Sequence, residues 1–124
     1  MAIVSGFASA SIDCPDPAAL LDFYQKLTGW KTVFASEEFS AISPDGGPVN
    51  GLGFQRVEHY RAPEWPGHER PQQFHLDFYA ADLDVAQQQA LEIGARLASV
   101  QPQPDRWRVL LDPVGHPFCL CVEP

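Results

Sequence analysis

Basic residues are scarce in this chain, which has 8 lysines and arginines against 16 aspartates and glutamates in 124 residues. The formal net charge is −8 and the sequence pI is about 4.7, so the chain repels phosphate backbones and anionic lipid. We therefore expect no nucleic-acid partner. The same charge favours a cationic ligand, although an acidic balance also serves solubility alone.

Long apolar runs are missing too, and no stretch approaches the roughly 20 apolar residues of a membrane-spanning helix. The first residues lack the basic flank and apolar run of a secretory signal, so we expect no membrane association. The three cysteines, Cys14, Cys119 and Cys121, are odd in number, which predicts reduced thiols in the cytoplasm.

The composition favours a folded domain. Hydrophobic residues make up 45% of the chain and charged residues 19%, so disorder is excluded. A chain of 124 residues has the size of one domain and can bury a core without disulfides.

The clearest strand pattern covers residues 71–79. Its alternation sends His75, Asp77 and Tyr79 to one face and three apolar side chains to the other. Asp82 follows and predicts the start of a helix. The polar face of this strand is where we expect function.

The same order of elements occurs earlier in the chain, where Asp16 and a proline begin a helix that Gly29 closes. The helix-start aspartates, Asp16 and Asp82, are 66 residues apart (82 − 16), and the closing glycines, Gly29 and Gly94, are 65 apart (94 − 29). A spacing that agrees to one residue indicates an internal repeat. The chain is therefore predicted to contain two βαβββ modules.

The modules are predicted at about 5–58 and 72–124. Their strands are predicted at 5–12, 30–34, 38–43 and 51–57, and at 72–79, 96–100, 107–111 and 118–122. The loop between them, about 59–71, contains Trp65, which argues against a simple spacer. Trp107 is expected in the core.

Two groups of residues carry a family resemblance: Asp16…Phe23-Tyr24…Leu27-Thr-Gly29-Trp30 and His75-Leu-Asp77…Asp82…Gly94-Ala95…Asp112-Pro-Val-Gly115-His-Pro. With them the chain resembles the vicinal oxygen chelate superfamily, which includes glyoxalase I, bleomycin-resistance proteins, fosfomycin-resistance enzymes and extradiol dioxygenases. It is most similar to the small glyoxalase-like group, over essentially the whole chain. The resemblance implies an α+β glyoxalase-like fold, in which two tandem βαβββ modules form a cup-shaped mixed sheet with the helices outside, and it implies a homodimer.

The enzymes of that family hold a divalent metal with one side chain from the first and last strand of each module. The matching positions here are Ser9, Gly53, His75 and Cys119, and a shift of two residues would replace Gly53 by Gln55. One histidine and one thiol fall short of the three protein ligands of a catalytic zinc. We therefore predict a degenerate site without metal; an ion, if bound, would be Zn, Ni, Mn or Fe.

The resemblance also implies a ligand cup lined from both modules, since the counterpart of His75 faces inward. The expected ligand-binding residues are Phe7, Ser9, Ser11, Gln55, His75, Asp77, Tyr79, Cys119 and Cys121, with Trp65 closing over them from the loop. Such a wall suits a small organic molecule, cationic or aromatic. A satisfied polar interior or a dimer contact is the alternative.

Three functions remain open. The first is a bleomycin-resistance-type protein that binds a small organic molecule without the usual metal. The second is a glyoxalase-like lyase or isomerase, or a dioxygenase-type enzyme. In such an enzyme His75 would be a metal ligand or a general base that Asp77 orients. A hydrogen bond between His75 and Asp77, residues i and i+2 of one strand, would be strained. In the same enzyme Cys119 could be a nucleophile only with a lowered pKa. The third is an interaction or regulatory module.

Overall fold

The computed structural model describes residue 2 and residues 5–124, in which the chain forms two helices and eight strands. They follow the order β1 (Ser9–Cys14), α1 (Pro17–Thr28), β2 (Lys31–Ala35), β3 (Phe39–Ser43), β4 (Gly51–Arg56), β5 (Leu76–Ala80), α2 (Leu83–Glu92), β6 (Arg96–Leu97), β7 (Trp107–Leu111) and β8 (Pro117–Val122). The predicted α+β class and the doubled βαβββ order are confirmed. Among the described residues no helix has the length and apolar character that crossing a membrane requires.

The chain divides into two compact units, residues 1–60 and 61–124, each with its own four-stranded sheet. The strand order is β1-β4-β3-β2 in the first sheet and β5-β8-β7-β6 in the second. In both sheets the first pair is parallel and the other pairs are antiparallel. The two units therefore share one topology, as a repeated module predicts.

Local capping residues set the bounds of α1. The Asp16 side chain accepts a hydrogen bond from the backbone N–H of Ala18 at 3.1 Å, and Pro17 occupies the first helical turn. Gly29 ends the helix in the left-handed region (φ 74°), and its N–H donates to the carbonyl of Gln25. Both predicted ends of this helix are confirmed.

Helix α1 covers one face of the first sheet with an aromatic core. The rings of Tyr24 and Phe54 stack with centroids 5.6 Å apart, and Phe23 meets Tyr24 edge to face at 4.9 Å. Ile12, Leu20 and Ile42 are fully buried in the same unit. Helix α1 does not cover the opposite face of this sheet.

In the second unit, Asp82 begins α2 by accepting from the N–H of Val85 at 3.1 Å. The helix ends at Glu92, two residues before the predicted Gly94, because Ile93 already leaves the helical conformation. The buried side chains of this unit's helix-facing side are Leu83, Ala90, Leu110, Phe118 and Leu120. A hydrogen-bonded ion pair of 2.6 Å between Arg108 and Asp84 joins β7 to α2.

Three predicted strands are shorter than expected. Strand β1 begins at Ser9, later than the predicted residue 5. Strand β5 begins at Leu76, later than the predicted residue 72, and Pro71 forms an isolated bridge with Glu64. His75 therefore lies just before β5 rather than within it.

Strand β6 contains only Arg96 and Leu97, where residues 96–100 were predicted. The amide of Gln101 explains the difference, since it donates to the carbonyl of Val109 at 2.7 Å and accepts from its N–H at 2.9 Å. The N–H of Ala98 still donates to the Val109 carbonyl at 3.1 Å, but the Val109 N–H donates to the Gln101 side chain instead of to a backbone carbonyl, so the ladder ends here.

Candidate functional site

A cavity of about 600 Å³ lies on the second sheet, on the face opposite to α2. Its lining brings together six of the predicted site residues: Trp65, His75, Asp77, Tyr79, Cys119 and Cys121. All the residues that line it belong to the second unit. Strand register explains the grouping, because Asp77 pairs with Cys119 and Tyr79 with Cys121 in the parallel β5–β8 ladder, and register partners share a face.

The floor of the cavity is a small apolar cluster. Ala98, Val109 and Cys119 are buried there, and Trp65, Trp107 and Cys121 pack against them while half-buried. The floor therefore combines two indole rings with two thiols.

The loop that carries Trp65 is held in place by its own hydrogen bonds. The N–H of Glu64 donates to the carbonyl of Arg70, whose side-chain Nε donates to the carbonyl of Ala62 at 3.1 Å. Ala62 also packs closely on Gly115, where an added Cβ would lie 2.7 Å from the Ala62 methyl group. These contacts place Trp65 against the sheet as part of the cavity wall.

Three polar side chains meet at the mouth of the cavity. Nδ1 of His75 lies 3.0 Å from Oδ1 of Asp77, and Asp77 is the register partner of Cys119 on the adjacent strand. The contact that appeared strained along a strand forms because His75 lies outside β5. The side chains of His75 and Asp77 are 42% and 55% exposed, whereas Cys119 is only 7% exposed. One potential ligand atom from each of the three side chains lies within 4.8 Å of the other two.

Burial raises the pKa of the Cys119 thiol to about 12, with further contributions from the charge of Asp77, from Cys121 and from the hydrogen bond to Asp77. Burial first, and then Asp77, also raises the pKa of Cys121. Without a bound cation both thiols stay protonated at neutral pH. The hypothesis of a nucleophilic Cys119 required a lowered pKa, and the structure gives the opposite direction.

Trp107 lines the cavity, although the sequence favoured a core position for it. It is the register partner of Cys121 in the antiparallel β7–β8 ladder, as Val109 is of Cys119. Alternation along β7 puts Trp107 and Val109 on one face, but the register with β8 is needed to show that this face is the cavity side. Gln72, on the segment before β5, also lines the cavity and was not predicted.

The four predicted site residues of the first unit are not among the residues that line this cavity. Ser9, Ser11 and Gln55 are exposed on one face of the first sheet, and Phe7, 59% exposed, precedes β1. The amide nitrogen of Gln55 donates to the carbonyl of Glu38 at 3.2 Å. In this unit the structure thus presents polar side chains on the face that α1 does not cover.

The four-ligand metal site that the resemblance implies does not fit the residues present. At Gly53 an added Cβ would lie 2.6 Å from Cζ of Phe39 and 2.9 Å from Oγ of Ser11, so the space for a ligand side chain is filled. Ser9, the other position in the first unit, offers only a hydroxyl. Neither position has the imidazole or carboxylate that a divalent ion requires.

Comparisons with known proteins agree with this architecture. The profile of the family described as glyoxalase-like domain matches residues 9–121. No curated protein matches the chain in sequence. A glyoxalase/bleomycin resistance protein/dioxygenase family enzyme from Burkholderia phytofirmans PsJN has a similar structure, with a TM-score of 0.70 and 22% identity over 94% of this chain and 97% of that one.

Two further solved structures resemble the chain. The fosfomycin resistance protein FosX from Mesorhizobium loti aligns with a TM-score of 0.70 and 15% identity, over 98% of this chain and 94% of that one. The bleomycin-binding protein from Streptomyces verticillus, solved with copper(II)-bleomycin, aligns with a TM-score of 0.62 and 16% identity, over 100% of both chains. At these identities the likeness concerns the fold. Because the family profile covers nearly the whole sequence, the chain belongs to the glyoxalase-like domain family.

Proposed function

We propose that the chain binds a small organic molecule in the cavity of its second unit, without the four-ligand divalent metal of the family. The observation that carries this proposal is the cavity itself. Its volume of about 600 Å³ falls within the range of small-molecule sites. Its lining combines apolar and aromatic side chains with a few polar groups, which is how such sites enclose and orient a ligand.

The chemistry of the lining favours a ligand with an aromatic ring and a neutral or positive charge. Trp65, Trp107 and Tyr79 offer ring faces for stacking, and Asp77 offers a carboxylate at the mouth. Neither lysine nor arginine occurs among the described residues of the lining. The net charge of −8 would also attract a cation.

Two of the structural neighbours support a role in binding small molecules. One is described as a bleomycin-binding protein and the other as a fosfomycin resistance protein. Their low identity to this chain transfers no ligand, so we propose only the class of function by analogy.

The proposal includes a homodimer in the cytoplasm. All five residues of β2, an edge strand of the first sheet, are exposed, and such an edge is a natural place for pairing. None of the three cysteines forms a disulfide, which agrees with a reducing compartment. Sedimentation equilibrium tests the assembly, and a monomer at all accessible concentrations would contradict it.

A thermal-shift screen tests ligand binding. The library should contain aromatic amines and matched neutral aromatics, because saturating ligand raises the melting temperature by mass action. We expect hits that stabilise the wild type and bind Trp65→Ala at least about fivefold more weakly, since a lost aromatic contact costs about 1 kcal/mol or more. Trp30→Phe, a substitution in the other unit, is the control and should keep the wild-type affinity. An absence of hits, or hits that bind Trp65→Ala normally, would contradict the proposal.

A second candidate is a glyoxalase-like lyase or isomerase reaction with His75 as general base. The contact of 3.0 Å between His75 Nδ1 and Asp77 favours it, because a carboxylate that holds Nδ1–H makes Nε2 the proton acceptor. Deuterium exchange at a carbon next to a carbonyl, followed by NMR on the ligands from the screen, tests this reaction. Exchange that persists in His75→Gln would exclude His75 as the base.

A further inference from the structure

We propose that the second unit by itself binds a zinc-type ion through His75, Asp77 and Cys119. These side chains supply one nitrogen, one oxygen and one sulfur ligand, with the three atoms within 4.8 Å of one another. This set differs from the family positions mapped above, because it contains no residue of the first unit and includes Asp77, which those positions do not. The inference is independent of whether the cavity also binds an organic molecule.

The backbone already places the three ligands together. Asp77 and Cys119 are register partners on adjacent parallel strands, so their side chains leave the same face of the sheet at the same level. His75 joins them from the residue before β5 and contacts Asp77 at 3.0 Å. Bonds of 2.0–2.3 Å to a tetrahedral zinc set its ligand atoms roughly 3.3–3.8 Å apart, so side-chain shifts of about 1 Å complete the geometry.

The donor set selects the kind of ion. Imidazole and thiolate are ligands for Zn²⁺ and its borderline neighbours, whereas Mg²⁺ and Ca²⁺ require six or more oxygen ligands. Three protein ligands with one open position are also the pattern of exchangeable zinc sites rather than of closed structural ones. Because the site lies on the cavity lining, the open position has room for water or for a ligand atom.

Exposure and charge agree with an exchangeable ion. His75 and Asp77 are partly exposed, which gives an ion a route from solvent, while Cys119 lies buried behind them. A carboxylate and a thiolate together balance the two positive charges of the ion. Among the described residues of the lining there is no lysine or arginine that would compete for Asp77.

Gly53 of the first unit cannot supply a metal ligand, since it has no side chain and the Phe39 ring fills the space beside its Cα. Substitutions in the two units should therefore affect ion binding differently. Removing a ligand of the second unit should abolish binding, whereas changing Ser9 or Gln55 should leave it unchanged.

Cobalt titration of the chelator-treated full-length chain tests the inference, with no organic ligand present. We expect one Co²⁺ per chain, a near-ultraviolet charge-transfer band from a cobalt–thiolate bond, and displacement by Zn²⁺. Cys119→Ser should lose the band and Asp77→Asn should weaken binding at least about tenfold, as changes around metal sites commonly do. Asp105→Asn, which removes an exposed carboxylate elsewhere in the unit, should retain both band and affinity.

Several results would overturn the inference. These are the absence of a stoichiometric cobalt complex, a band that persists in Cys119→Ser, and an affinity that falls in Ser9→Ala or Gln55→Ala. Circular dichroism of each variant separates lost ligands from lost folding, and His75→Gln, at a partly exposed position, serves as a second ligand variant. A failure here leaves the thermal-shift result untouched, so the two proposals are judged separately.

Discussion

The ring of Phe39 lies over Gly53, with its Cζ 2.6 Å from the point that a Cβ at position 53 would occupy. Gly53 is fixed on both sides by the ladder, since it pairs with Ser11 in β1 and with Ala41 in β3. Neither backbone can therefore withdraw to make room. A position that the family resemblance implies as a metal ligand therefore holds an aromatic contact in this protein.

Gly53→Ala should destabilise the protein by about 1–3 kcal/mol, because the new methyl group meets the Phe39 ring in a packed site. In Phe39→Ala the same substitution should cost markedly less, so the double-mutant cycle should show coupling between the two positions. Urea unfolding measures all four proteins. Gly6→Ala, where no atom lies within 4 Å of the added Cβ, is the matched control. Equal costs of Gly53→Ala in both backgrounds would contradict the contact.

Asp77→Asn should make Cys119 more reactive toward alkylating agents in chelator-treated protein. The carboxylate raises the thiol pKa by its negative charge and by its hydrogen bond, so its removal lowers the pKa and increases the thiolate fraction. Mass spectrometry of iodoacetamide-treated protein near pH 8 gives the rate at each cysteine. Asp105→Asn removes the same charge elsewhere in the unit and should leave the Cys119 rate unchanged. Equal rates in wild type and Asp77→Asn would show that burial alone protects the thiol.

Stability should fall at alkaline pH because of Cys119. Its pKa rises from 9.0 to about 12 on folding, so the contribution is fully present below pH 9 and is lost as the pH rises toward 12. Relative to Cys119→Ala, the wild type should lose about 2–3 kcal/mol more between pH 8 and pH 11. Denaturant unfolding of both proteins across this range measures the difference. Parallel pH profiles would mean that the thiol titrates alike in the folded and unfolded chains.

Asp112→Ala should destabilise the second unit by about 2–3 kcal/mol, because it leaves two partly buried N–H groups without their acceptor. The carboxylate is fully buried, and its Oδ1 accepts from the N–H groups of Val114 and His116 at 3.0 and 2.9 Å in the turn before β8. Asp112→Asn keeps an oxygen in this place and should cost about 1 kcal/mol or less. Hydrogen exchange at the two amides reports the same loss locally. Similar exchange in the alanine and asparagine variants would contradict the role of Oδ1.

The candidate site shows where residue patterns stop being informative. Alternation along residues 71–79 placed His75, Asp77 and Tyr79 on one face, and the structure has Asp77 and Tyr79 facing the cavity. The same reasoning missed Trp107, because its position depends on the antiparallel register between β7 and β8. The family mapping did not include Asp77 among the metal-ligand positions, since it considers one position on each strand.

The sequence by itself determined the order of the elements, the repeat and the ends of α1. These features rest on interactions within a few residues, such as the hydrogen bond of Asp16 with Ala18 and the left-handed conformation of Gly29. Only the tertiary structure decided that Asp77 meets Cys119, that Trp65 packs beside them and that Phe39 covers Gly53. Each of these contacts joins different segments of the chain, and the strand register and loop packing that create it depend on the energy of the whole unit rather than on local preference.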